Sequence, residues 1–158
     1  MPDTRRQATL FLDLPLIESI RQEFNPRQAE LISAHVTLCR EDEVEDWVAL
    51  EERMRDLPSA VTLEFGFPVR DGDLVYLPGI DKDGSFRSLR KYLLNSDRVR
   101  DHKPHVTLIH PRNGKCTDNI WETLRSRIEP FTYTFHELSF ILQQDGGVWQ
   151  TARTFPLK

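Results

Sequence analysis

The sequence predicts an α+β fold made of two similar halves related by a pseudo-twofold duplication. The tetrapeptide His35-Val36-Thr37-Leu38 returns unchanged as His105-Val106-Thr107-Leu108, 70 positions later. Each copy sits in the same order of elements: a helix, the His-Thr strand, a helix stopped by proline, a strand, an Asp-Gly turn and a strand. The spacings agree as well. Pro58 lies 23 residues after His35 and Pro130 lies 25 after His105, while Asp71 and Asp145 follow at 36 and 40. The halves are lobes at about 14–80 and 83–155 of a single domain, 1–158, preceded by a first strand at 8–14. No linker-like or low-complexity segment divides them. The two His-Thr strands are expected to face each other across a cleft.

The elements follow from periodicity. An apolar run through Leu14 that stops at Pro15 reads as a buried strand leading into a helix. Leu16, Ile17, Ile20 and Phe24 recur at helical spacing until Asn25-Pro26, where Asn25 is placed to cap a further turn towards Leu31. After the first motif come five acids between Glu41 and Asp46. Such acids either bind a metal or enter a helix and offset its macrodipole, and the second reading is favoured. That helix carries Val44, Trp47, Val48, Met54 and Leu57 on one side and ends before Pro58. Val61, Leu63, Phe65 and Phe67 alternate as a half-buried strand, and Asp71-Gly72 turns it into the return strand Leu74 to Leu77. Phe86, Leu89, Arg90 and Leu93 mark the next helix, which ends near Asn95.

Beyond the second motif, Asn113-Gly114 turns the chain and Thr117 caps a helix of Ile120, Trp121, Leu124 and Ile128. Pro130 ends it. Phe131, Tyr133 and Phe135 then alternate, but the next apolar set is Leu138, Phe140 and Leu142. The change of parity implies a bulge or break near His136-Glu137. Asp145-Gly146-Gly147 turns the chain into a last strand through Trp149.

The repeated motif is also where the chemistry lies. On a strand, side chains two apart share a face roughly 6.6 Å apart, so His and Thr stand together and Val and Leu face the core. One imidazole and one hydroxyl at that spacing reach different oxygens of a phosphate-sized group. A lone His on a strand is usually a structural residue. Packing alone gives no reason to place His and Thr twice, so His35, Thr37, His105 and Thr107 are the candidate site.

Composition narrows the class. The net charge of −4 argues against an extended nucleic-acid-binding surface and favours a small nucleotide or RNA-end phosphoester. Two cysteines, Cys39 and Cys116, are too few for a disulfide framework, so a reducing cytoplasm is the simpler setting. Met1 to Arg6 is polar and no apolar run approaches a membrane span, so no export signal or membrane partner is expected. No glycine loop for phosphates, dinucleotide fingerprint or serine elbow is present.

These residues resemble the 2H phosphoesterase superfamily, and in particular its 2′-5′ RNA ligase-like branch of RNA 2′,3′-cyclic phosphodiesterases. The opening Ala8-Thr9-Leu10-Phe11-Leu12-Asp13-Leu14-Pro15 and the stretch Lys103 to Leu108 resemble that branch too. Its frequent Ala-Arg pair after each motif is replaced here by Cys39-Arg40 and Ile109-His110. The resemblance implies two antiparallel sheets lining a central cleft with helices outside. It also implies a metal-independent, cofactor-free, two-histidine phosphodiesterase, with His35 as proton donor and His105 as acceptor. The substrate would be a 2′,3′-cyclic phosphate or a related small cyclic or 2′-5′ phosphodiester. Rival readings are an RNA-end ligase or exonuclease of the same superfamily, or a phosphoester-binding module with little turnover. A monomer is expected.

Other residues are open to two readings each. Tyr76 either stacks a base or sugar in the cleft or is an ordinary core or edge aromatic. Lys103 and Arg112 flank the second motif as phosphate partners or as solvated charges. Cys39 shares the strand parity of His35 and Thr37 and is expected to line the cleft. His102 reads as a surface residue, because Pro104 argues against a helical metal pair with His105. His110 and His136 read as polar partners at strand ends.

Overall fold

The computed structural model describes residues 3–158, so the first two residues of the expected domain lie outside it. Among the described residues nine antiparallel strands form one sheet that curls into a half-barrel, with five helices packed on it. The strands are β1 (Thr4–Phe11), β2 (His35–Cys39), β3 (Val61–Phe65), β4 (Val69–Asp71), β5 (Leu74–Ile80), β6 (His105–Ile109), β7 (Phe131–Phe135), β8 (Glu137–Gln144) and β9 (Gln150–Pro156). The helices are α1 (Pro15–Phe24), α2 (Pro26–Leu31), α3 (Trp47–Arg53), α4 (Ser85–Leu94) and α5 (Asp118–Arg125). Among the described residues no helix is long and apolar enough to cross a membrane.

The sheet runs β7-β3-β5-β6-β2-β1-β8-β9, with β4 beside β5. Its two four-stranded halves meet at the seam between β6 and β2, where Val36 pairs with Val106. The motif strands are therefore neighbours, and the cleft lies over their seam. Each half of the sheet draws strands from both halves of the sequence. The helices cross in the same way, with α1 packed against β6 and α4 against β2 and β3. Period-2 alternation holds the motif strands in place, because Val36, Leu38, Val106 and Leu108 are all buried in the core with Leu10, Ile20, Phe86 and Leu89.

Several local expectations change. The five acids do not open one helix. Glu41–Glu43 form a 3-10 turn, Val44 is extended, and Asp46 caps the short α3 through the Val48 and Ala49 amides. Val48 consequently points to solvent. The third strand ends at Phe65, leaving Phe67 exposed. Asn25 stands at the N-cap of α2 with Pro26 at its first position, as expected, but its buried side chain does not cap the helix. Its carboxamide accepts from the His110 amide at 2.9 Å and donates to Asn113 Oδ1 at 3.0 Å, which ties α1 to the turn after β6. A Cβ at Gly114 would come within 2.9 Å of that carboxamide, so the turn needs glycine there.

The parity change at His136 has a larger cause than a bulge. There the chain leaves β7, paired with β3 at one edge, and enters β8, paired with β1 in the other half. Thr117 caps α5 as expected, and Asn95 ends α4 in the left-handed region.

Candidate active site

The pairing of Val36 with Val106 across antiparallel strands sets the site. It places His35 across from Thr107 and Thr37 across from His105, so the two imidazoles lie on a diagonal. Such diagonal neighbours are about 7–8 Å apart at the backbone, a distance that one phosphate fills. All four side chains are partly exposed and line one cavity of about 560 Å³.

Both rings are held alike. The Nδ1–H of His35 donates to the Ser33 carbonyl at 2.8 Å, and that of His105 donates to the Lys103 carbonyl at 3.1 Å. With Nδ1 engaged, Nε2 is the free nitrogen on each ring. An aromatic ring also stands edge-on to each imidazole: Phe11 to His35, with centroids 6.4 Å apart, and Tyr76 to His105, at 5.8 Å. Tyr76 thus touches the site through His105 and is not part of the cavity lining. Burial pushes His35 down to about 4, the Ser33 bond works against this, and the neighbouring Arg21 and His105 lower it further.

Each motif strand carries one extra residue directly after its threonine. Thr37 pairs with Thr9 but Cys39 with Ala8, and Thr107 pairs with Tyr76 but Ile109 with Val75, so Leu38 and Leu108 are the bulged residues. The bulges reverse the alternation. Cys39 turns into the core instead of lining the cleft, and burial pushes its thiol up to about 12. It is no nucleophile.

Carbonyls around the bulges are taken by buried cations from the crossing helices. Arg21 of α1 donates to the Thr107 carbonyl at 3.2 Å and the Ile32 carbonyl at 2.9 Å, and pairs with Glu18 at 3.2 Å. Arg90 of α4 donates to the Leu38 carbonyl at 2.5 Å and pairs with Glu43 at 2.6 Å. His102 is half-buried rather than superficial. Its Nε2 meets the Thr37 carbonyl at 3.1 Å and its ring lies 6.2 Å from that of His105. Burial, then the Arg90 charge, lower its pKa, so it is neutral and donates through Nε2–H.

Arginines complete the cavity. Arg5, Arg40 and Arg112 line it without an acidic ion-pair partner among the described residues, whereas Arg6 is matched by Glu41. His110 also lines it and accepts the Arg112 amide at Nδ1, 3.0 Å away. Burial and Arg112 lower its pKa, so the cation at this end is Arg112. Lys103 contributes its carbonyl to His105, while its side chain lies outside the cavity. His136 lines a separate cavity. Trp149, Gln28 and Gln7 line the site and were not singled out by their position in the sequence. No group of three or more His, Cys, Asp or Glu is placed to hold a metal ion among the described residues.

A family model for the 2′-5′ RNA ligase superfamily matches residues 10–147. Among solved structures, E. coli LigT complexed with NADP+ has a TM-score of 0.59 at 17% identity, covering 98% of each chain. E. coli LigT complexed with 3′-AMP gives 0.56 at 16% identity, covering 100% of this chain and 99% of that one. TT0787 of Thermus thermophilus gives 0.55 at 16% identity and 97% of each chain. At these identities the likeness is one of fold. No curated protein matches the chain in sequence.

Proposed function

Because the chain belongs to the 2′-5′ RNA ligase superfamily, we propose that it is a metal-independent phosphodiesterase acting on a 2′,3′-cyclic phosphate or a related small cyclic or 2′-5′ phosphodiester. The observation that carries this reading is the mirrored pair of rings. Each imidazole is locked through Nδ1 onto the carbonyl two residues before it, and its Nε2 is free at one cavity. That is the geometry required for one proton donor and one acceptor on either side of a single phosphorus.

In the reading that the resemblance favours, neutral His105 takes a proton from the attacking water through Nε2. His35, protonated, gives one to the leaving ribose oxygen. Thr37 and Thr107 hydrogen-bond the non-bridging oxygens and hold the phosphorus between the rings. Arg5, Arg40 and Arg112 supply the field that draws an anion into a protein of net charge −4. The low pKa of His35 in the free protein fits this scheme once substrate charge is counted. A phosphodiester anion beside the ring restores the proton that burial removes.

Structures of the similar LigT contain NADP+, phosphate, 3′-AMP or ATP, all of them phosphate compounds. A cavity of about 560 Å³ takes ligands of nucleotide size. The test is incubation with nucleoside 2′,3′-cyclic phosphates of each base, with product identified by chromatography. A single monophosphate isomer is expected. No hydrolysis of any cyclic or 2′-5′ phosphodiester, with retained phosphate binding, would make the protein a binding module instead.

A further inference from the structure

The two motif threonines differ in what meets their hydroxyls. Gln7, on the cavity face of β1, sends its Nε2 to Thr9 Oγ1 at 2.6 Å and to Thr37 Oγ1 at 2.9 Å. Thr9 is fully buried, so the amide is anchored on one side and presents its second N–H to Thr37. No described side chain does the same for Thr107.

From this we infer that Gln7 is a positioning residue that fixes Thr37 as a hydrogen-bond donor to the phosphate. The inference rests on the proposed phosphoester site. A hydroxyl has one hydrogen and two lone pairs. When the Gln7 N–H occupies a lone pair of Thr37, the hydroxyl hydrogen is directed away from Gln7, towards the cavity and a phosphate oxygen. Thr107 keeps a free rotor, since no hydrogen bond to its hydroxyl is formed within the described residues. Orienting a donor before the anion arrives removes that cost from binding and from the transition state. The symmetric motif thereby becomes an asymmetric site, with its pre-set donor on the β1 side. The ring-supporting Tyr76 lies on the opposite, β5 side.

The experiment is a double-mutant cycle between Gln7→Met and Thr37→Val, read by calorimetric affinity for inorganic phosphate and by kcat/KM on a nucleoside 2′,3′-cyclic phosphate. Gln7→Met should weaken both by about ten-fold, the scale of one hydrogen bond. In the Thr37→Val background it should change neither by more than about two-fold, which a general structural role could not produce. Gln7→Glu is isosteric and carries the test alone if Gln7→Met does not fold. Its carboxylate accepts the Thr37 hydroxyl hydrogen and draws it from the cavity, so a loss larger than that of Gln7→Met is expected. Losses that multiply in the double mutant, or a Gln7→Glu protein with near wild-type affinity, would overturn the inference and leave the proposed function standing. A wild-type protein that neither binds phosphate nor hydrolyses the cyclic ester would overturn both.

Discussion

Binding of a phosphodiester should draw a proton onto His35, by an amount that follows from its surroundings. In the free protein burial is the main force holding this imidazole at about 4, with Arg21 and His105 adding to it and the Ser33 carbonyl opposing. A bound phosphodiester places one negative charge about 4 Å from the ring, and at an effective dielectric of about 20 that attraction is about 4 kcal/mol. At 1.36 kcal/mol per unit it raises the pKa by about 3 units, to near neutrality. Near pH 6 the free ring is about 1% protonated and the bound ring about 90%, so about 0.9 proton is taken up per ligand. The assay is titration calorimetry of a nucleoside 2′,3′-cyclic phosphate in buffers of different ionisation enthalpy. The His105→Ala protein is used so that the ligand survives, and a phosphodiester does not itself titrate in this range. Affinity should also weaken by about fifty-fold in all between about pH 5 and 7, as linkage requires. Uptake near zero, or equal uptake by the His35→Ala/His105→Ala protein, would refute the reasoning.

Other outcomes follow from the same geometry. Hydrolysis should survive a strong chelator, because two imidazoles supply both proton transfers; complete loss restored by one divalent ion would contradict this. Tyr76→Phe should keep nearly full activity, since the Tyr76 and His105 rings meet in a T-shaped pair that the hydroxyl does not form, while Tyr76→Ala should lower kcat as the imidazole loosens. Arg90→Met should destabilise the fold by about 3–5 kcal/mol in urea denaturation near pH 7, because it leaves the Glu43 carboxylate buried without its cation. That difference should shrink in acid. Burial raises the Glu43 pKa, but the Arg90 hydrogen bond and charge outweigh it and hold the carboxyl below its ordinary 4.5. The pair's contribution is therefore full above about 4.5 and disappears as pH falls through the lowered folded value.

The sequence exposes whatever depends on local period. His35, Thr37, His105 and Thr107 share a face because strands alternate, and Pro15 opens α1, where its missing N–H costs nothing, whereas α3 and α5 already end at Arg53 and Arg125, short of Pro58 and Pro130. The superfamily and its α+β architecture were legible from the same residues. What stayed hidden depends on which strand lies beside which. The bulges at Leu38 and Leu108 exist only relative to β1 and β5, so Cys39 looked like a cleft residue and is a core one. Gln7 gains meaning only once β1 pairs with β2. Arg21 and Arg90 did leave a signal. Each sits among the apolar positions of its helix, beside Ile17, Ile20 and Phe24 or Phe86, Leu89 and Leu93, where an arginine must be buried with partners. His102 left none, since its partner is a backbone carbonyl 65 residues away.

The central claim is that two histidines act as one device on one phosphorus, and four rate constants decide it. Hydrolysis of a nucleoside 2′,3′-cyclic phosphate should be measured for the wild type, His35→Ala, His105→Ala and the double mutant, with folding checked by circular dichroism. Each single substitution should cost about 10² to 10⁴ in kcat. The double mutant should fall far less than the product of the two, because groups that act together are not additive. A His105→Ala or His35→Ala protein with near wild-type turnover, or losses that multiply fully, would contradict the account.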